Sequence, residues 1–191
     1  SNLHNVFAAG NDGSLTCSPY PSAFRTVLSG YQAAKNVLTV GATDRGGGIA
    51  SFSSRGPTQD GRTKPEITAD GLSIISTIPD DTYFYSSGTS MAAPAVSGGA
   101  ALLYEQYRKL TGFTPKNALI KALLCNGSND MGNIGPDYTN GFGYMNLLRS
   151  VDMLNNGRYI TASLINAANN THVISVPSNT AQLKVMIYWN D

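Results

Sequence analysis

A chain of 191 residues, 41% hydrophobic and 13% charged, is long enough to bury one sizeable core and too apolar for wholesale disorder. Thirteen basic residues against twelve acidic ones give a formal charge of +1 with no basic block, which argues against nucleic acid as the main partner. No apolar run approaches the roughly 18 residues that a membrane span needs, and Cys17 and Cys125 imply no disulfide framework: they are open to pairing or to remaining separate thiols.

In chain order, Val6-Phe7-Ala8-Ala9 is a short apolar run that breaks into Gly10-Asn11-Asp12-Gly13, the pattern of a strand leaving its sheet into a loop. Residues 14–35, with Pro19 and Pro21, show no clear period. Residues 36–43 are β-branched and bounded by turn signals, which predicts a buried strand. Gly46-Gly47-Gly48 lacks the Lys and the helix start of a phosphate cradle and reads as a flexible loop. Residues 73–77 read as a further strand, with Asp80 and Asp81 as a solvated loop tip rather than a metal site.

The helix expected from Thr89 or Ser90 to Leu110 organises the chain. Its early part, Met91-Ala92-Ala93-Pro94-Ala95-Val96, is apolar on every side, the pattern of a buried helix. Thr89 or Ser90 would cap it, and Pro94 is tolerated within or just after the first turn. A second helix is expected from Thr114-Pro115 to Gly127, with Ala118, Leu119, Ala122 and Leu123 on its apolar face, and a third over 147–154, closed by Asn155-Asn156-Gly157. Beyond Gly157 the segments 159–164, 172–176 and 183–189 are short, β-rich and separated by turns. Leu183, Val185, Ile187 and Trp189 alternate there with Lys184, Met186 and Tyr188, as in a half-buried strand.

A serine oxygen at the start of a buried helix sits at the positive end of the helix dipole among unpaired N–H groups, where a forming anion is stabilised. That is a place for a nucleophile, although capping alone would account for the hydroxyl. The wording of the motif decides between them: Gly88-Thr89-Ser90-Met91-Ala92-Ala93-Pro94, followed by Val96 and Gly98, resembles the nucleophile motif of the subtilisin-like serine peptidases, the subtilases. Ala8-Ala9-Gly10-Asn11 is similar to that family's oxyanion segment, and residues 49–58, 60–67 and 140–146 continue the resemblance. One departure is Ala69-Asp70-Gly71, where the family usually has Ala-Pro-Gly.

The resemblance implies an α/β fold: the C-terminal half of a subtilisin-like three-layer domain over 1–157, with a mostly parallel sheet and a buried central helix. Residues 158–191 would then be the first strands of a C-terminal jelly-roll β-domain, a β-sandwich, cut short. It implies a serine endopeptidase in which Ser90 forms the acyl-enzyme and the Asn11 side-chain amide, with the Ser90 N–H, holds the oxyanion. Ala8, Ala9, Gly10, Gly88 and Thr89 would line the substrate pocket, and a peptide or protein would be the substrate. The family's Asp and His lie outside this chain, in the missing N-terminal half, since His4 lacks the surrounding His motif and His172 stands on the wrong side of Ser90 in the family's Asp, His, Ser order; the 191 residues alone are therefore expected to be inactive. Calcium is admitted by the resemblance only, with no ligand spacing visible here, and a secreted or cell-envelope location rests on the same ground. The competing reading is a non-catalytic subtilase-fold module that binds protein or glycan, and the upstream Asp and His discriminate the two.

Overall fold

The computed structural model describes residues 4–28, 30–166 and 168–189. Three parallel strands form a sheet in the order β1 (Val6–Ala8), β2 (Leu38–Thr43), β3 (Ile67–Asp70). Val6 pairs with Leu38 and Val40 with Ile67, so the register is in step across all three strands. Strand alternation then sorts the faces. Val6, Ala8, Leu38, Val40, Ala42, Ile67 and Ala69 point one way and are apolar; Thr39, Gly41, Thr43, Thr68 and Asp70 point the other, together with Phe7, which stacks on Tyr31 with ring centres 5.6 Å apart.

Helix α1 (Thr89–Thr111) covers the apolar face and touches all three strands. Its buried residues Ala92, Val96, Gly99, Ala100 and Leu103 recur at helical spacing and join Leu38, Val40, Ala42, Ile67 and Ala69 in one core. The polar face is covered by irregular chain. Ser53 Oγ accepts from Ala42 N at 3.0 Å, and a Cβ on Gly41 would meet Pro65 at 3.0 Å. The expected three-layer arrangement is thus a helix layer and a sheet backed by loops among the described residues.

The expectation of a helix buried all round is also corrected. Pro94, Ala95, Ser97, Gly98, Ala101 and Leu102 are exposed, because the sheet covers one flank of α1 and α2 (Asn117–Gly127) and α3 (Leu147–Asn155) pack beside it. Gly88, not Thr89 or Ser90, holds the cap position, and Pro94 falls in the second turn. Its ring removes the N–H that would otherwise bond the Ser90 carbonyl. Lys116 rather than Thr114 precedes α2, whereas Asn146 caps α3 by accepting from Arg149 N at 3.0 Å.

Between β3 and α1 the chain makes an antiparallel hairpin, β4 (Ile74–Ile78) with β5 (Thr82–Ser86). Asp80 and Asp81 form its tip, both with positive φ, which short polar side chains tolerate. The aromatic strand β5 is absent from the sequence reading. Residues 158–189, read as β-rich, form no strand among the described residues: an alternating pattern becomes a strand only where a ladder partner exists. Asn190 and Asp191, the end of that run, lie outside the described residues. Cys17 and Cys125 are separate free thiols. Among the described residues no helix is long and apolar enough to cross a membrane.

Candidate functional site

In an open parallel sheet the loops that follow the carboxyl ends of the strands form the natural binding edge. Here β1 delivers Ala9, Gly10 and Asn11 to that edge, and β3 delivers Gly71. The loop after β1 is clamped by the chain across the sheet: Ser54 N donates to Gly10 O at 2.9 Å, Asp12 N to Ser54 Oγ at 3.0 Å and Gly13 N to Phe52 O at 2.8 Å. Gly10 holds φ at +110°, and a Cβ on Gly13 would strike Ser51 O at 2.5 Å, so both positions require glycine. From the other side, Gly71 N donates to Thr43 O at 2.9 Å and Gly88 N to Gly71 O at 2.8 Å. The Asp70 in place of Pro in the Ala-Pro-Gly pattern therefore leaves the loop tied; burial first, and then the Asp70 carboxylate, raise the Tyr144 phenol above its ordinary value.

Thr89 joins the two halves of this edge. Its backbone N–H and its hydroxyl both donate to Asn11 Oδ1 at 3.0 Å, and its Oγ1 accepts from Gly10 N at 3.2 Å. Asn11 thus satisfies one of the first-turn donors of α1 from outside the helix. The bond also fixes which way the amide faces. Because the Thr89 N–H is a donor, the oxygen must face it, and the Asn11 NH2 group turns past Gly88, 3.4 Å from where a Cβ would stand on that residue. Both Asn11 and Ser90 are exposed. Ser90 is the residue next to Thr89, in the first turn of α1, where its N–H has no intrahelical acceptor.

Of the sequence-predicted site residues, the structure brings Gly10, Asn11, Gly88, Thr89 and Ser90 to one edge. Ala8 is half-buried at the end of β1. Ala9 is 1% exposed and Thr89 1% exposed, so they support the loop rather than present surface. His4 lies away from Ser90, at the amino end of β1. Burial, then the Lys121 ammonium, hold it down to about 4, while the Asn117 backbone opposes them. His172 is exposed in the tail. Among the described residues no three His, Cys, Asp or Glu groups cluster to hold a metal ion.

One feature of the amino edge is missing from the sequence reading. Lys64, Glu66 and Lys121 form a buried ion triad: Glu66 Oε1 accepts from Lys64 Nζ at 2.6 Å and from Lys121 Nζ at 2.7 Å, and Oε2 accepts from Thr39 N at 2.8 Å. Lys121 Nζ also donates to Val37 O at 2.7 Å. With two cations on one carboxylate, burial lowers Lys64 to about 8 against the pull of Glu66, and Lys121 and Arg62 add to the lowering. Lys64-Pro65-Glu66 is visible in the sequence, but nothing local marks Lys121, on an otherwise uncharged helix, as its partner.

Residues 2–143 match the profile of the Subtilase family. Subtilisin DY of Bacillus licheniformis is 36% identical over 143 residues, which is 74% of this chain and 44% of that protein. The thermophilic serine proteinase of Bacillus sp. (strain AK1) is 43% identical over 103 residues, covering 54% of this chain and 21% of that one. Among solved structures, a lanthipeptide protease superposes with a TM-score of 0.66 at 22% identity, a likeness of fold, over 80% of this chain and 51% of that one. The prenylagaramide maturation protease PagA does so with a TM-score of 0.62 at 29% identity, over the same shares. The chain spans about half or less of the length of these relatives.

Proposed function

Because the chain belongs to the subtilase family, we propose that it carries the nucleophile half of a serine endopeptidase site. Ser90 Oγ attacks the carbonyl carbon of a peptide or protein substrate, and its proton passes to a His base that an Asp orients, both outside this chain. The oxyanion that forms accepts from the Asn11 NH2 and the Ser90 N–H at the positive end of α1. Collapse of that intermediate expels the amine and leaves an acyl ester on Ser90, which water then hydrolyses. Ala8 and Gly10, both partly buried, present a small-residue surface along which an extended substrate lies close to the backbone, with the buried Gly88 behind them.

The observation that carries this reading is the Thr89–Asn11 pairing, which turns a neutral amide donor outward beside the residue expected to be the nucleophile. Release outside the cytoplasm, by secretion or into the cell envelope, goes with the reading through the family. The alternation along residues 183–189 supports taking 158–191 as the start of a second, β-rich unit. In the full-length protein a fluorophosphonate probe labels Ser90, and Ser90→Ala abolishes the labelling. Equal labelling of both forms removes Ser90 from its role and favours a non-catalytic binding module. The 191-residue chain alone leaves casein uncut, as His4 stands before the amino end of β1 and His172 in the exposed tail after the nucleophile.

A further inference from the structure

Residues 184–189 form no strand, yet four of their side chains and one main-chain carbonyl tie them to the body. Lys184 Nζ donates to the carbonyls of Cys125 and Ser128, both at 3.4 Å, and Asn126 Nδ2 reaches Lys184 O at 3.5 Å. Met186 packs against the core. Lys121 Nζ lies 4.7 Å from the centre of the Tyr188 ring, and Lys35 Nζ 5.4 Å from that of Trp189. Residue 184 therefore meets the end of α2 while residue 188 meets Lys121 in its middle, so the segment runs antiparallel to the helix. The lengths agree: four extended residues span about 13 Å, and the seven helical positions from 121 to 128 about 10 Å.

The stripe of α2 beneath this segment is chemically particular. Lys121 and Cys125 stand one turn apart on the same face. Lys121 feeds the buried triad, and the Cys125 thiol lies within electrostatic reach of Glu66, Lys121, Lys184 and Lys64. Met186 and Tyr188 are partly buried and, with the ammonium of the exposed Lys184, face the stripe, whereas Leu183, Val185, Ile187 and Trp189 are 57%, 60%, 81% and 60% exposed. We infer that residues 184–188 are a strap laid along α2 that roofs the Lys64–Glu66–Lys121 triad and the Cys125 thiol, opening and closing as a unit. Closed, it keeps water from the triad and reagents from the thiol. Open, it exposes both without unfolding the helix pair. Burial pushes the thiol up to about 12, so the closed form reacts slowly on electrostatic as well as steric grounds.

The test uses the full 191-residue chain, an aromatic disulfide reagent and mass spectrometry of the two cysteine peptides. Cys17, half-buried in a loop, serves as the internal standard. In the double variant Lys184→Ser, Tyr188→Ser, Cys125 labels faster by about tenfold or more, the change that loss of ~1.4 kcal/mol of docking gives. Cys17 keeps its rate, the helical circular dichroism is retained, and the fluorescence anisotropy of Trp189, the sole tryptophan, falls as its segment detaches. An unchanged Cys125 rate overturns the strap. A rise shared equally by Cys17 overturns it as well, because the whole fold has then loosened.

Discussion

Replacing Glu66 by Gln tests the account of the amino edge most directly. The substitution keeps the shape and removes the anion that Lys64 and Lys121 share. Both ammonium groups approach the same oxygen, at 2.6 and 2.7 Å, so they stand no more than about 5 Å apart. At an effective dielectric constant of about 20 their repulsion amounts to about 3 kcal/mol. Breaking a buried pair by removing one partner costs about 3–5 kcal/mol in general, so a loss of about 4 kcal/mol is expected, a large part of a typical stability of about 5–15. Lys121→Met, by contrast, removes the surplus cation and leaves Lys64 and Glu66 matched; its cost should stay at ~1–2 kcal/mol, because Lys64 Nζ still donates to the Val37 carbonyl at 3.1 Å. Urea denaturation at neutral pH, followed by circular dichroism, measures both. The sign with pH also follows. Lys64 titrates at about 8 in the folded chain and at 10.5 in the unfolded one, so the unfolded chain holds more protons across that window and stability rises with pH through it. In Glu66→Gln the Lys64 value falls further and the rise is larger. A Glu66→Gln chain as stable as Lys121→Met, or one whose stability falls from pH 8 to 10, would refute the reasoning.

Three further outcomes are expected. His4 is held at about 4 by burial and then by Lys121, so the folded chain refuses a proton that the unfolded chain accepts between pH 6.5 and 4. Stability therefore drops as pH falls through that window, and His4→Gln flattens the slope in acid titrations of urea midpoints. Leu103→Ala, at the buried centre of the α1–sheet contact, should cost about 2–5 kcal/mol, read from the same midpoints. Asn11→Asp separates the two roles of that residue. Its carboxylate still accepts from Thr89 at the helix start, so thermal stability holds or rises, while turnover in the full-length protein falls by about 10²–10³ through loss of the donor; that figure was measured on a subtilisin and is carried over from it. Retained turnover would take Asn11 out of oxyanion binding.

What the sequence made legible follows from what is local. Strands β1 and β2, the loop between them and the turn into α3 announce themselves through apolar runs bounded by Gly, Asn and Asp, and the residues of the Ser90 edge through long motifs. Long-range pairing left no such mark. Lys121 is a helical lysine in the sequence and becomes an ion partner only because the fold sets it against Glu66, 55 positions earlier. The burial of α1 was overestimated for a similar reason: small residues such as Ala95, Gly98 and Ala101 satisfy an apolar pattern whether or not anything covers them. In the tail the alternation was legible and its polarity misleading, since the face that meets the body carries Lys184 and Tyr188.

The six residues of β2, about 20 Å of extended chain, separate the triad at one tip of the sheet from the Asn11–Thr89 junction at the other. Damage to the protein should accordingly sort by position along the strands. Lesions near Val37, Lys64 or Glu66 lower the yield of soluble material while each surviving molecule works at its normal speed. Side-chain lesions at the exposed Asn11 and Ser90 are expected to do the reverse, leaving abundant and well-folded protein whose full-length form is slow.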